Sequence, residues 1–553
     1  MQERSHLLSR KYHLPSKSTT HVESYIDRSN VTKEDVLEFI GKLKKGTSPG
    51  IDGVTPEHMI YAASPELANV LADTYSIIIS LAIIPEIFQD SLIVPIIKKA
   101  TLDPNVPNNY RPIAISSIHT KLVEYSLMPE DNASENQFGF RKDRGTSCAT
   151  SLLNDTAAYT KARGSPLYVC SLDAEKCFDS IWHPGLFYKL INTISDVQWL
   201  FLYNWYNNSY VQVRWDNKLS NKFKITKGMK QGSILSPQMF NKFINDLLIK
   251  LKSMSTGVRI YDFHLNMFAY ADDLNLVSTT AAGLQSLMNI CHQYAHAWRM
   301  KFNPTKTNIV CIGKQPHTTS PKWILGDSII HLSRETNILG VTFNSQLSSV
   351  DHTKNRTKKC RQGMFKLASF GMSYTGLSSD VKAFLWNTIG CPILAYGMES
   401  IDLSDSDIKH LKTVQGNTIK RVLGINKRSH HSNILKALGV PSVEDVIKNN
   451  AVRLYRNTFK ANTPARDLQS VLLAHFILKG TTIKGTLLDR IVRAGADPLD
   501  LITDSSPSTR PVCNTVGEED GLVDTLRFLL LHEDYNKPRS DEHILVTHLT
   551  KAY

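Results

Sequence analysis

Cysteine is scarce: eight in 553 residues, each alone in the chain, with no CxxC pair and no histidine at metal-ligand spacing. A zinc module or a disulfide scaffold is not expected. Cys148, Cys170, Cys177 and Cys311 fall in apolar or mixed runs, where a small buried thiol is the ordinary reading, so a reducing compartment is expected. Long apolar runs are also missing. The best, residues 75–84, is too short to cross a bilayer, and charges stand in MQERSHLLSRKYHLPSK where a secretory leader needs its apolar stretch. Neither a membrane partner nor an extracellular location is expected. A phosphate loop is lacking too, because Thr47 rather than Lys follows the Gly41 to Gly46 spacing. Acids are outnumbered, 51 against 64 Lys and Arg, leaving a net charge of +13 that favours a polyanionic partner such as nucleic acid.

What is present is ordinary globular material. With 42% apolar and 21% charged residues the chain can bury several cores, at roughly 100 to 200 residues per packed unit. Thr32 to Lys45 predicts an amphipathic helix, with Thr32 and Asp35 as a capping box and Val36, Phe39, Ile40 and Leu43 on one stripe. Leu92 to Ile97 predicts a strand; its Pro95 suggests an edge. Leu167 to Leu172 is a mostly apolar run that delivers Asp173 at its end. Ser236-Pro237 opens a helix with Ser as N-cap and Met239, Phe240, Phe243, Ile244, Leu247 and Leu248 on its inner face. Residues 267–277 predict two strands around a tight turn carrying Asp272-Asp273, followed by a helix striped by Leu284, Leu287, Met288, Cys291, Tyr294 and Trp298. After residue 350 a basic stretch (Lys354, Arg356, Lys358, Lys359, Arg361, Lys366) opens a mostly helical region. Residues 507–520 suggest a linker and Leu522 to His532 a last helix.

Two adjacent aspartates on a turn repel and raise each other's pKa unless a cation compensates. With Asp173 they form a set of hard oxygen donors of the kind Mg²⁺ prefers, and two such ions about 4 Å apart can stabilise both oxygens of a phosphoryl displacement. In isolation, an Asp-Asp pair is more simply a polar turn. Its context is a series of motifs: Ser-Pro-Gly-Ile-Asp-Gly (48–53), Asn-Tyr-Arg-Pro-Ile-Ala (109–114), Gln-Phe-Gly-Phe-Arg (137–141), Leu-Asp-Ala-Glu-Lys-Cys-Phe-Asp (172–179), Gly-Met-Lys-Gln-Gly-Ser-Ile-Leu-Ser-Pro (228–237), Phe-Ala-Tyr-Ala-Asp-Asp (268–273), Phe-Asn-Pro-Thr-Lys-Thr (302–307) and Leu-Gly-Val (339–341). In this order they resemble the reverse transcriptase of a non-LTR (LINE-type) retrotransposon, over about residues 30 to 345.

The resemblance implies an α+β right-hand polymerase fold. Its fingers and palm, an antiparallel sheet backed by helices, would occupy residues 31–345 after an N-terminal extension (1–30), followed by a helical thumb-like region (346–460) and a C-terminal region of unknown role (461–553). It implies RNA-directed DNA synthesis, with RNA template, DNA primer and deoxynucleoside triphosphates as partners and two Mg²⁺ ions, replaceable by Mn²⁺, on Asp173, Asp272 and Asp273. Lys306 would give a proton to departing pyrophosphate. Arg111 would meet the triphosphate, Phe178 would exclude ribonucleotides at the sugar 2′ position, and Gln231, Gly232 and Lys98 complete the substrate-binding set. Lys230 departs from the residue often found before the Gln-Gly pair. The location implied is intracellular, nuclear and cytoplasmic, and no endonuclease is expected in this chain. The alternative, a catalytically decayed relative that only binds RNA, should have lost an acid or the Gln-Gly loop; all are present.

Overall fold

The computed structural model describes residues 30–99, 101–314, 321–367 and 377–503. The readings at 1–29, 507–520, Leu522 to His532 and Cys513 lie outside the described residues. The fold is of the expected α+β class. Its first eleven strands run, in chain order, β1 (Asp90–Ile97), β2 (Tyr110–Ile115), β3 (Leu167–Asp173), β4 (Tyr210–Trp215), β5 (Lys218–Leu219), β6 (Phe223–Lys224), β7 (Val258–Ile260), β8 (Phe263–Leu265), β9 (Met267–Tyr270), β10 (Asp273–Ser278) and β11 (Asn308–Ile312). Contacts gather the chain into two compact units. The first holds the described residues up to 134, 174–250 and 290–303; the second holds 135–173, 251–289 and the described residues from 304 onward.

In the first unit the sheet order is β2-β1-β4-β5, with β6 also on β4. Pro95 does not put β1 at an edge, contrary to the sequence reading: β1 pairs antiparallel with β2 and parallel with β4. The β4 pairing stops at Ile93, and on the β2 side Pro95 faces Pro112. Two residues without an N–H can oppose each other without loss at a position where neither donates. The first helix covers Lys33–Gly41 with the Thr32 and Asp35 capping box formed; it buries Val36 and Ile40 and ends before Leu43. The Ser236–Lys252 helix buries Met239, Phe240, Phe243, Ile244, Leu247 and Leu248 as its periodicity predicts. Ser236 is already the first helical residue rather than the N-cap that the sequence suggests, and its N–H donates to Ser233 Oγ at 3.2 Å.

In the second unit β11, β3, β10 and β9 lie side by side in that order, and a two-residue strand at Leu332–Ser333 extends the β11 edge. Leu167, Val169, Val277, Val310 and Ile312 belong to one continuous core that also takes Trp386, Leu411, Tyr455, Leu468, Leu472 and Leu488. The stretch 461–503 therefore shares the core of the acid-bearing sheet. Buried Asp155 ties it in: the carboxylate accepts from the Leu487 N–H at 3.0 Å and from Gln469 Nε2 at 2.5 Å. Along Val350–Leu367, Lys354, Lys358, Lys359, Arg361 and Lys366 are exposed, but Arg356 is not part of that row. It is buried, donating to the Ile393 carbonyl at 2.8 Å with its guanidinium 4.8 Å from the Tyr396 ring centre. The seven described cysteines are buried and form no disulfide among the described residues, Cys148, Cys170, Cys177 and Cys311 among them. Among the described residues no helix is long and apolar enough to cross a membrane.

Candidate active site

β3 is buried from Leu167 to Cys170 and ends at Asp173. Because β10 runs antiparallel to it with Asp273 opposite Asp173, the two side chains leave the same face of the sheet. Asp273 also pairs with Tyr270 across the hairpin, leaving Ala271 and Asp272 as a two-residue turn. The two acids thus differ in setting: Asp272 is on the turn, whereas Asp273 is already the first residue of β10. Ala271 takes the left-handed conformation, with φ 55°, which tight hairpin turns demand of a central residue.

This turn is held from outside the hairpin. Asn136 and Phe138 exchange backbone bonds with Ala269, both 2.8 Å, laying the Gln-Phe-Gly stretch along β9. The fully buried Gln137 then accepts the Ala271 N–H at 2.8 Å and the Gly139 N–H at 2.9 Å through Oε1, and donates from Nε2 to the Ala271 carbonyl at 3.3 Å. A Cβ on Gly139 would stand 2.2 Å from the Ala271 nitrogen, so only glycine permits the approach. Gln137 and Gly139 carry no reading of their own in the sequence beyond membership of a motif; their bonds reach residues remote in the chain.

The electrostatics follow from the crowding. Asp272 is raised by burial, offset by its own backbone N–H, and raised again by Asp173. Asp273 is exposed as a residue, yet partial withdrawal of its carboxyl from water, with the charges of Asp272 and Asp173, pushes it up to about 6. Lys306 Nζ lies 3.2 Å from Asp173 Oδ2. Among the described residues no three acidic, histidine or cysteine side chains stand arranged as a ready-made metal site; the carboxylates repel, and the lysine holds one of them. The donor set fits a divalent cation chemically, being three hard carboxylates, and a cation would relieve the raised pKa of Asp272 and Asp273.

The other sequence-predicted residues lie in the first unit. Arg111 is exposed on β2, opposite Ile96 of β1. Lys98 just follows β1 and donates to the Asn108 carbonyl at 2.8 Å. Phe178 is half-buried and stacks on Phe240, ring centres 5.0 Å apart. Gln231 bridges to Ile113, its carbonyl accepting the Ala114 N–H at 2.6 Å. Gly232 has φ 114°, and a Cβ there would meet the Ala114 oxygen at 2.7 Å. Lys230 is half-buried, and among the described residues its Nζ has no hydrogen-bond partner. Burial lowers its pKa to about 8 against the pull of Glu124.

Residues 97–343 match the family described as reverse transcriptase (RNA-dependent DNA polymerase). The chain is 23% identical over 478 residues to the RNA-directed DNA polymerase from mobile element jockey of Drosophila melanogaster, covering 82% of this chain and 51% of that one. It is 24% identical over 441 residues to the probable RNA-directed DNA polymerase from transposon BS of the same species, covering 76% and 48%. Among solved structures, a telomerase from Candida albicans in complex with a TWJ fragment of telomeric RNA aligns over 72% of this chain and 63% of that one, at 12% identity and a TM-score of 0.35. The chain spans about half the length of the curated relatives it matches. Motif order, the family match over residues 97–343 and the two curated relatives agree: this part of the chain is similar to reverse transcriptases, and those relatives are named as RNA-directed DNA polymerases of mobile elements.

Proposed function

We propose that the chain is an RNA-directed DNA polymerase that extends a DNA primer on an RNA template. The observation that carries this is the direct opposition of Asp173 and Asp273 across β3 and β10, with Asp272 on the adjoining turn. Three carboxylates at one end of one sheet are costly to fold and useful for phosphoryl transfer. In this reading Asp173 and Asp272 provide most of the coordination and Asp273 supports them. When bound, two Mg²⁺ or Mn²⁺ ions supply the charge neutralisation that the attacking 3′-hydroxyl and the leaving pyrophosphate need.

The remaining roles belong to side chains of this chain. Arg111 offers a permanently charged fork to the triphosphate, with Lys98 beside its strand. Phe178, backed by Phe240, walls the sugar 2′ position. Gln231 and Gly232 bring amide and backbone close to the nucleotide, and Lys306 hands a proton to pyrophosphate. We assign residues 31–345 to fingers and palm and 346–460 to a thumb, where Lys354, Lys358, Lys359, Arg361 and Lys366 would grip template and primer phosphates in a salt-dependent way. Primer extension on poly(rA) with Mg²⁺ or Mn²⁺ tests the reading. The intact chain should incorporate dTTP, and Asp272→Asn should lose activity by on the order of a hundredfold or more. Equal activity in the two would defeat the assignment.

A further inference from the structure

We propose that Asp179 is a positioning residue that decides which end of the Gln231 amide is offered to the nucleotide, an inference that rests on the polymerase reading. Gln231 Nε2 donates to Asp179 Oδ1 at 2.7 Å. A carboxylate only accepts, so this contact fixes the amide: one N–H of Nε2 is committed to Asp179 and Oε1 is turned toward a ligand. Among the described residues no hydrogen bond reaches that oxygen.

The surrounding backbone makes the orientation rigid. Gly228 N–H donates to the Ile181 carbonyl at 2.8 Å and Met229 N–H to the Phe178 carbonyl at 2.7 Å, so the approach to Gln231 is laced to the turn that carries Phe178 and Asp179. Gly228 has φ 85°, and a Cβ there would meet the Asp179 carbonyl oxygen at 2.7 Å. On its other side Gln231 is bound to Ala114 of β2. The ligand group that faces Gln231 Oε1 is therefore a hydrogen-bond donor, which a nucleotide can supply as a sugar hydroxyl or as a base N–H.

The pairing is tested without catalysis by a cycle of variants. Gln231→Glu sets one carboxylate against another. Adding Asp179→Asn reverses the bond, the new amide donating to the new carboxylate while its second oxygen stays on offer. In urea unfolding the double variant should recover most of the midpoint lost by Gln231→Glu; equal midpoints overturn the pairing whether or not the chain polymerises. In primer extension, Asp179→Ala should raise KM for dTTP about tenfold with kcat nearly unchanged, and the double variant should restore KM. An unchanged KM, or a loss confined to kcat, overturns the proposal. Comparing dTTP with its 3′-deoxy analogue on poly(rA), and dGTP with dITP on poly(rC), identifies the donor. The wild-type preference that collapses in Asp179→Ala names the sugar hydroxyl or the base amino group, and if neither preference moves the proposal fails. An intact chain as inert as Asp272→Asn would sink the polymerase reading instead, leaving the unfolding cycle to decide the pairing.

Discussion

Asp173 and Asp273 face each other directly across the antiparallel pair of β3 and β10. Like charges so placed destabilise a sheet, and Asp273 is held at about 6 by partial burial, then by Asp272 and Asp173. A carboxyl with a raised folded pKa keeps its proton in the native state where the unfolded chain has lost it, so stability falls as pH rises from 3.8 to about 6. Asp273→Asn should raise the thermal midpoint above about pH 6 and leave it unchanged below 3.8, while lowering polymerase activity. Melting curves across that range, with primer extension alongside, check both halves.

Gln137 and Gly139 brace the Ala271 turn without being ligands themselves. Gly139→Ala has to displace the Ala271 backbone, an overpacking that costs about 1 to 3 kcal/mol. Gln137→Ala leaves the Ala271 N–H without its acceptor, costing roughly 1 to 3 kcal/mol. Both should reduce primer extension more than they reduce the folded fraction, because they move Asp272. Activity per folded molecule, with the folded fraction taken from circular dichroism, is the measurement.

Phe178 stands half-exposed against Phe240. Phe178→Val should increase ribonucleotide incorporation relative to deoxyribonucleotide by on the order of tenfold or more, the scale on which a pocket discriminates by bulk. Competing rUTP against dTTP on poly(rA) measures it, and an unchanged ratio removes the gate.

Asp155 is fully buried and receives hydrogen bonds from Gln469, Asn154 and the Leu487 N–H. Asp155→Ala strands those donors and should cost about 2 to 3 kcal/mol. Since it sits among the elements that carry residues 461–503, folded variant should extend primers normally. Urea denaturation gives the first quantity and active-site-normalised extension the second.

Local chemistry made much of this legible beforehand. The apolar run 167–172 had to be a buried strand, so Asp173 had to emerge at its end; the stripe from Phe240 to Leu248 could only be an inner helix face. Misreadings came where a partner distant in the chain decides. Pro95 suggests an edge until Pro112 is seen opposite. Arg356 counts as one more surface cation until Ile393 offers a carbonyl. Gln137 looks like any motif glutamine until Ala271 arrives. Leu43 continues a helical pattern, yet the helix ends at Gly41, a residue that lowers the stability of a helix interior.

β3 obtains its neighbours from residues 273–278 on one side and 308–312 on the other. During synthesis it must therefore leave the ribosome with both edges open, an apolar ribbon waiting for later sequence. Pairings between remote segments form slowly, and bare strand edges recruit other chains. A chain cut short before residue 308 would leave the β11 side of this ribbon bare, so such products should go to chaperones or aggregates rather than survive as soluble fragments.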